Sequence, residues 1–392
     1  MSTSIKNLTV KNFRSLSDVS VELGPVNVIF GPNGTGKSSL LDSIWFIRDC
    51  AVRGVESASA KRSHGIGVLH DMAEEGGCIE ISVSTNRISY GLKVGFASGR
   101  IDPLLGERLF SIERNKTLIE RAVGSDKIKC LNSGTGTEQE VSLREPQKLS
   151  LEWFLNFDPR FDEAQEFDRL FRFTHFYDSR SFNFFKLRQY GSEAGHETWL
   201  WDRADNLWSV LRNLQGMKAR DTRYDTIMSY MRKAHPRFQD LVIETTGPVS
   251  VYASFVEKER SQEIRASGVS DGHLQMLILL TALFGDAKGK EGILMFDEPE
   301  TSLHPHALAA LAEAMQEAGE NWGRQVILAT HSPVLLSQFA PNQIFQSGYS
   351  KSSAVFQRLD SIQSIRDLLV DYSVGSLYMA EAVGSQSALQ TT

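Results

Sequence analysis

Val26-Asn27-Val28-Ile29-Phe30-Gly31-Pro32-Asn33-Gly34-Thr35-Gly36-Lys37-Ser38 decides how the rest of the chain is read. Its first five residues are apolar or small and bounded by turn residues, the pattern of a buried strand. The next eight match the phosphate-binding pattern G-x-x-x-x-G-K-S at every fixed position. Ser39-Leu40-Leu41-Asp42-Ser43-Ile44-Trp45-Phe46-Ile47 then carries apolar residues at helical spacing. Gly31, Gly34 and Gly36 lack a Cβ, so the backbone can curl and aim consecutive N–H groups inward. The helix start adds unpaired donors and the positive end of its dipole. Lys37 supplies a charge for the β- and γ-phosphates, and Ser38 a hydroxyl for Mg²⁺. Strand, loop and helix predict a nucleotide phosphate site made of Gly31, Pro32, Asn33, Gly34, Thr35, Gly36, Lys37, Ser38 and Ser39.

Around this stretch lie 392 residues, enough for two domains or for one large α/β domain with an insertion. Hydrophobic residues make up 41% and charged residues 23%, which predicts a globular fold with a substantial core. A formal charge of −6 argues against a uniformly basic nucleic-acid binder, though not against a local basic groove. Cys50, Cys78 and Cys130 are far apart and form no C-x-x-C, which fits a reducing compartment and neither a disulfide framework nor a zinc site. No run of about twenty apolar residues is present, and the N-terminus has no apolar signal core. A soluble, cytoplasmic protein without a membrane partner is expected.

Before the phosphate loop, residues 5–10 and 19–23 alternate apolar and polar, predicting two strands of a small antiparallel sheet. Residues 54–77 are rich in glycine, serine and charge and read as loop or weak helix. Residues 78–84 and 88–94 read as a hairpin, with further short strands to about Val141. From about Leu149 to His235 aromatic residues crowd together, among them Trp153, Phe154, Phe157, Phe161, Phe167, Phe171 and Trp208. They suit either the core of a helical lobe or a base-stacking platform. Core packing is the better reading, because Lys and Arg are not densely interleaved. No heptad repeat is sustained, so a long coiled-coil arm is not predicted. Strands return over 238–257, and strand and helix then alternate as a parallel sheet requires. The domain reading is 1–145 as the first half of the head, 146–240 as an inserted mainly helical lobe, and 241–392 as the second half.

Ile293-Leu294-Met295-Phe296 is an apolar run ending in Asp297-Glu298-Pro299. A buried parallel strand would deliver both acids at its carboxyl end, where ligands bind in doubly wound sheets. Asp297 would hold Mg²⁺ with Ser38, and Glu298 would act as general base toward the attacking water. Thr301-Ser302-Leu303-His304-Pro305 follows and opens an alanine-rich helix. Residues 325–330 form another apolar run, ending in His331-Ser332-Pro333, where His331 would stand near the γ-phosphate. Ser267 to Gln275 precede an apolar helix. Ser270 and Gly272 there offer a hydroxyl and bare N–H groups, a second anion site or an ordinary helix cap.

Taken in order, these motifs resemble the ABC-type ATPases of the RecF/SMC/OLD group, over roughly residues 1–50 and 260–340. Asn12-Phe13-Arg14-Ser15 resembles that group's opening. The resemblance implies an α/β P-loop NTPase head, with a mixed, largely parallel central sheet and an antiparallel β subdomain, plus the inserted helical lobe. It implies ATP and Mg²⁺ as cofactors and a head-to-tail homodimer with two ATP molecules between protomers. Gly31 to Ser38, Asp297, Glu298 and His331 would come from one chain, and Ser270 and Gly272 from the other. Ser302 would lie at the seam. Arg14 either reaches phosphate or is a surface residue. The helix start reads Ser-Asp-Gly-His-Leu-Gln instead of the Ser-Gly-Gly-Gln of transporters, and no glutamine loop is assignable. His175-Phe176-Tyr177-Asp178-Ser179-Arg180 falls where the lobe would rejoin the head.

The function implied is an ATP-hydrolysing switch in DNA maintenance or in defence against foreign DNA, with DNA a candidate ligand and a separate effector protein as partner. The alternatives are a slow nucleotide sensor that acts on a partner without DNA, and a transporter ATPase subunit, which the missing Ser-Gly-Gly-Gln disfavours.

Overall fold

A computed structural model describes residues 3–62, 66–70, 73, 77–96, 103–247, 249–287, 291–350 and 353–384. Strands β1 (Asn7–Phe13) and β2 (Leu16–Glu22) form a hairpin, and β3 (Val26–Phe30) runs into the phosphate loop. Helix α1 (Lys37–Arg53) follows, then the short α2 (Val55–Ala60). That helix lies in the glycine- and serine-rich stretch 54–77, part of which falls outside the described residues. Next come β4 (Cys78–Ser84), β5 (Ile88–Phe96), β6 (Pro103–Ser111), β7 (Lys116–Arg121), β8 (Lys127–Leu131) and β9 (Glu138–Ser142). With the first hairpin they make an eight-stranded antiparallel sheet in the order β2-β1-β4-β5-β6-β7-β8-β9. It is much larger than the small sheet that residues 5–23 suggest by themselves.

The helix-rich middle contains α3 (Ser150–Phe157), α4 (Asp162–Arg172), β10 (His175–Asp178), α5 (Phe184–Gln189), β11 (Ser192–Glu193), α6 (Leu207–Gly216) and α7 (Arg223–Ala234). Then β12 (Phe238–Thr245), β13 (Ser250–Glu257) and β14 (Ile264–Arg265) lead to α8 (Asp271–Phe284) and β15 (Gly292–Asp297). The chain continues through α9 (Pro305–Asn321), β16 (Arg324–Ala329), α10 (Pro333–Leu336), β17 (Ile344–Ser350), β18 (Ser353–Arg358), α11 (Gln363–Leu368) and α12 (Val374–Met379). The central sheet has the order β10-β15-β16-β3-β17-β18. All its pairs are parallel except β17–β18, an antiparallel edge hairpin. The small sheet β11-β13-β12, with β14 on β13, is antiparallel.

Every residue of β3, β15 and β16 is buried, as strands covered on both faces must be. Period-two alternation divides their side chains between two cores. Ile29, Ile293, Met295 and Ile327 face α1, α3, α4 and the inner face of the antiparallel sheet. Val28, Leu294, Phe296 and Leu328 face α6, α7, α8 and α9. The helix-rich segment is therefore built into both cores, and its β10 is an edge strand of the central sheet. Phe154, Phe161, Phe167 and Phe171 are buried in the first core and Trp208 in the second. These aromatics pack; they are not a stacking surface.

Helix α1 is tied to its surroundings by charge as well as by apolar burial. Arg62 Nε lies 2.7 Å from Asp42 Oδ1 and its Nη1 3.0 Å from Asp49 Oδ2, with all three side chains largely buried. Arg14 also pairs with Asp42, and Arg48 and Arg53 with Asp49, so each buried charge of this network has more than one partner. The helix that begins at the phosphate loop is thus fixed along its length.

Candidate nucleotide site

Parallel strands that share a direction bring their carboxyl ends to one edge, and the loops after β3, β15 and β16 meet there. They surround a cavity of about 320 Å³. Asn33, Gly34, Gly36, Lys37, Ser38 and Ser39 line one side, and Asp297, Glu298 and His331 the other. Ser15 and Arg180 complete the wall. A larger cavity, about 630 Å³, lies at the opposite end of β3 among Glu22, Gly24, Pro25 and Arg358, far from these motifs. The chemistry is at the carboxyl edge.

The phosphate loop needs its glycines for two different reasons. Gly36 caps α1 at φ 91°, a left-handed conformation that side chains disfavour. Gly31 has φ 145°, and a Cβ there would lie 2.3 Å from the Ser347 carbonyl oxygen. The loop is therefore pressed against β17. Thr35 Oγ1 donates to the Pro32 carbonyl at 2.8 Å and lies 2.6 Å from Ser347 Oγ. Tyr349 Oη donates to the Gly34 carbonyl at 2.5 Å. Neither Ser347 nor Tyr349 is signalled by the sequence, since both stand more than 300 residues from the loop that they hold.

Lys37 is 7% exposed, and its ammonium donates to the carbonyls of Gly31 at 2.9 Å and Pro32 at 2.8 Å. Burial pulls its pKa down to about 8, against the opposing pull of Asp297, Glu298 and Glu300. Asp297 is 3% exposed, and burial holds its carboxyl above the usual carboxylate range although the Ser38 hydroxyl donates to it. A buried carboxylate beside a hydroxyl, both on a phosphate-sized cavity, is the donor set that Mg²⁺ takes together with phosphate oxygens. Ser38 and Asp297 fit that ion, and the loop with its left-handed glycines fits the phosphates.

Glu298 adopts φ 49°, rare for a residue with a side chain, and its N–H donates to Ala329 O at 2.9 Å. That turn swings the carboxylate out of line with β15 and onto the cavity wall. The backbone N–H of His331 donates to Glu300 Oε1 at 2.7 Å. Burial, and Lys37 nearby, push the His331 imidazole below its ordinary pKa, so the ring is neutral at pH 7.

Ser270 caps α8 and lies outside this cavity, as does Gly272. Ser270 Oγ is 2.7 Å from His273 Nδ1, and the His273 ring stacks on His235 with centroids 3.9 Å apart. Arg14 is also outside the cavity lining. Its Nη1 is 2.7 Å from Asp42 Oδ2 on α1, while Ser15 Oγ donates to Ser39 Oγ at 2.9 Å. Arg180, which ends the stretch 175–180 that the sequence places where the lobe rejoins the head without giving it a role, lies on the cavity wall. The strand before it, His175-Phe176-Tyr177-Asp178, ends in an acid as β15 does but is too short and mixed to announce itself as a buried strand.

A P-loop at the carboxyl edge of this sheet, facing an Asp-Glu strand end and a strand-end histidine, defines an ABC-type ATPase head of the RecF/SMC/OLD group. Protein comparison places it more closely. The chain belongs to the family described as "AAA domain, putative AbiEii toxin, Type IV TA system", matched over residues 135–337. A second AAA-domain family matches residues 7–186. Similar stretches occur in protein ea59 of Escherichia phage lambda, 37% identical over 18% of this chain and 13% of that protein. The OLD nuclease of Thermus scotoductus is 52% identical over 10% of this chain and 8% of its own length. The DNA replication and repair protein RecF of Colwellia psychrerythraea is 49% identical over 11% of this chain and 12% of its own. The chain thus spans about a tenth of the length of these relatives. In fold it is similar to an SMC head solved with the C-terminal winged-helix domain of ScpA, with TM-score 0.53 and 14% identity, covering 90% of this chain and 97% of that one. No described helix is long and apolar enough to cross a membrane.

Proposed function

We propose that this chain binds MgATP, hydrolyses it, and uses ATP occupancy to switch between an open form and a head-to-tail dimer. The observation that carries the reading is the meeting of Lys37, Ser38, Asp297, Glu298 and His331 on one cavity, from three separate strand ends. Loop N–H groups and Lys37 bind the β- and γ-phosphates, with the ammonium leaving the Gly31 and Pro32 carbonyls to do so. Ser38 and Asp297 would hold Mg²⁺, whose charge offsets that of the phosphates. Glu298 accepts a proton from the attacking water. The neutral imidazole of His331 hydrogen-bonds the water or the γ-phosphate. Ser270, exposed at the start of α8, reaches the γ-phosphate of a second protomer, so that ATP satisfies donors on both chains and hydrolysis releases them.

The setting proposed is DNA maintenance or defence against foreign DNA, with a separate effector protein. Resemblance to RecF and to the OLD nuclease over short stretches supports it. The test is the steady-state ATP hydrolysis rate of the purified protein with and without linear duplex DNA, at low and moderate salt. Stimulation that fades as salt rises indicates contacts to the phosphate backbone. A rate indifferent to DNA moves the reading to a switch gated by a protein. No hydrolysis and no ATP binding would overturn it.

A further inference from the structure

Arg180 stands two residues beyond β10, on the wall of the nucleotide cavity. Its Nε donates to Asp178 Oδ1 at 3.0 Å, and its backbone N–H donates to the same oxygen, also at 3.0 Å. Asp178 is the register partner of Asp297 across the β10–β15 ladder, so the sheet fixes where this anchor stands. With Nε engaged, Nη1 and Nη2 remain as a fork. Nη2 is 3.5 Å from Asp297 Oδ2, and Nη1 is 3.9 Å from Glu298 Oε1. For a guanidinium facing carboxylates these are long contacts, since well-made ones close to about 2.8 Å. The Arg180 side chain is 58% exposed while that of Asp297 is 4% exposed, so the fork sits at the cavity mouth above a buried acid.

The charges explain the arrangement. Asp297 and Glu298 stand side by side on one wall of the site, and Arg180 is a cation at its mouth set against both. A divalent ion held by Asp297 and Ser38 competes with the guanidinium for Asp297. A triphosphate in the cavity offers the fork new acceptors, with oxygens spaced for a planar pair of N–H donors. The anchor at Asp178 does not have to break for that exchange. On the far side, Ser179 Oγ accepts a hydrogen bond from Gln275 Nε2 at 2.7 Å, so the same segment is bonded to α8.

We propose that Arg180 is a phosphate-binding residue of this site. It offsets Asp297 and Glu298 when no nucleotide is bound, and it takes the terminal phosphate of ATP, from within the same protomer, when one is. The proposal rests on the ATP reading above. Because ADP lacks the γ-phosphate that the fork takes, Arg180 is a source of discrimination between ATP and ADP.

The experiment is an equilibrium titration of the full chain with fluorescent ATP and ADP analogues in the presence of Mg²⁺. It compares the wild type, Arg180→Ala, Arg180→Lys and, as a control for the site, Lys37→Ala. Arg180→Ala should weaken ATP binding about tenfold or more and ADP binding less than about threefold, the size of one lost charge-assisted contact. Arg180→Lys should recover part of the loss, since a point charge lacks the fork. Equal losses for ATP and ADP, or no loss for either, overturn the proposal while leaving the ATP reading intact. Failure of the wild type to bind either nucleotide, with Lys37→Ala indistinguishable from it, overturns the ATP reading and this proposal together.

Discussion

A Cβ on Gly272 would stand 2.6 Å from the carbonyl oxygen of Ser302, closer than real side-chain carbons come. Ser302 itself sits at φ 62°, in a turn just beyond Glu298. The start of α8 and the turn after β15 are therefore in backbone contact, and only glycine allows it. From the sequence Gly272 reads as a bare N–H donor for an anion; the structure gives it a steric reason to be glycine. Gly272→Ala must push the turn or the helix start away. The expected result is a loss of about 1–3 kcal/mol of stability by thermal denaturation, the usual range for overpacking. ATP turnover should fall further than stability does, because the displaced turn also carries Glu298.

Glu298→Gln keeps the shape of the side chain and removes its capacity to accept a proton. Turnover should drop by about 10²–10⁴-fold, as for loss of a general base. Binding should survive, since the phosphates are held by Lys37 and the loop. With MgATP the variant should therefore accumulate as a dimer in light scattering after size exclusion. A variant that binds ATP yet stays monomeric would argue against the sandwich.

Much of this site was legible because its parts are local in sequence. A phosphate loop needs glycines, lysine and serine at fixed spacing, and a buried strand ending in Asp297-Glu298 announces itself by an apolar run. The central strands are likewise marked by their apolar runs, as strands buried on both faces require. Arg180 was not legible, because its role depends on β10 pairing with β15, and pairing between distant strands leaves no mark at either one. Tyr349 and Ser347 escaped for the same reason. The size of the antiparallel sheet is hidden too, since β1 pairs with β4 only across the intervening β2, β3, α1 and α2. Of the aromatics crowded over 153–208, Phe154, Phe161, Phe167, Phe171 and Trp208 are core, as their spacing among apolar neighbours implies, whereas Phe157, Phe185, Tyr190, Trp199 and Trp201 are exposed.

Acid should destabilise this protein partly through His235. Burial is the largest cause that lowers its pKa, followed by the stacked His273, and together they bring it to about 4 against a usual 6.5. The Gly272 carbonyl, which accepts from the ring and raises its pKa, and the ring of His306, which lowers it, are the other groups that bear on it. An imidazole that binds its proton more readily once unfolded contributes stability that is complete above pH 6.5 and drains away as pH falls toward 4. At 1.36 kcal/mol per unit, the swing is on the order of 2–4 kcal/mol. His235→Phe keeps a ring against His273 and removes the proton site. The fall in Tm between pH 6.5 and 4.5 should be shallower in the variant than in the wild type. Parallel curves would show that other groups govern the acid limb.

Tyr349→Phe tests whether the phosphate loop is braced from β17. The phenol donates to the Gly34 carbonyl and is 41% exposed, so water can replace it there at little cost. Global stability should therefore change by less than about 1 kcal/mol, within the ordinary worth of one hydrogen bond. Loop geometry is a more sensitive readout. Gly34 lies between the residues whose N–H groups must converge on phosphate, and a carbonyl no longer held by Tyr349 lets that peptide rotate. ATP affinity should weaken by about two- to tenfold, the equivalent of 0.4–1.4 kcal/mol, with ADP affected to the same degree because both carry the inner phosphates. This equal loss separates Tyr349, which shapes the loop, from Arg180, whose loss falls on ATP. If the Phe variant binds both nucleotides as the wild type does, the contacts of Thr35 with Ser347 and Pro32 hold the loop without help from Tyr349.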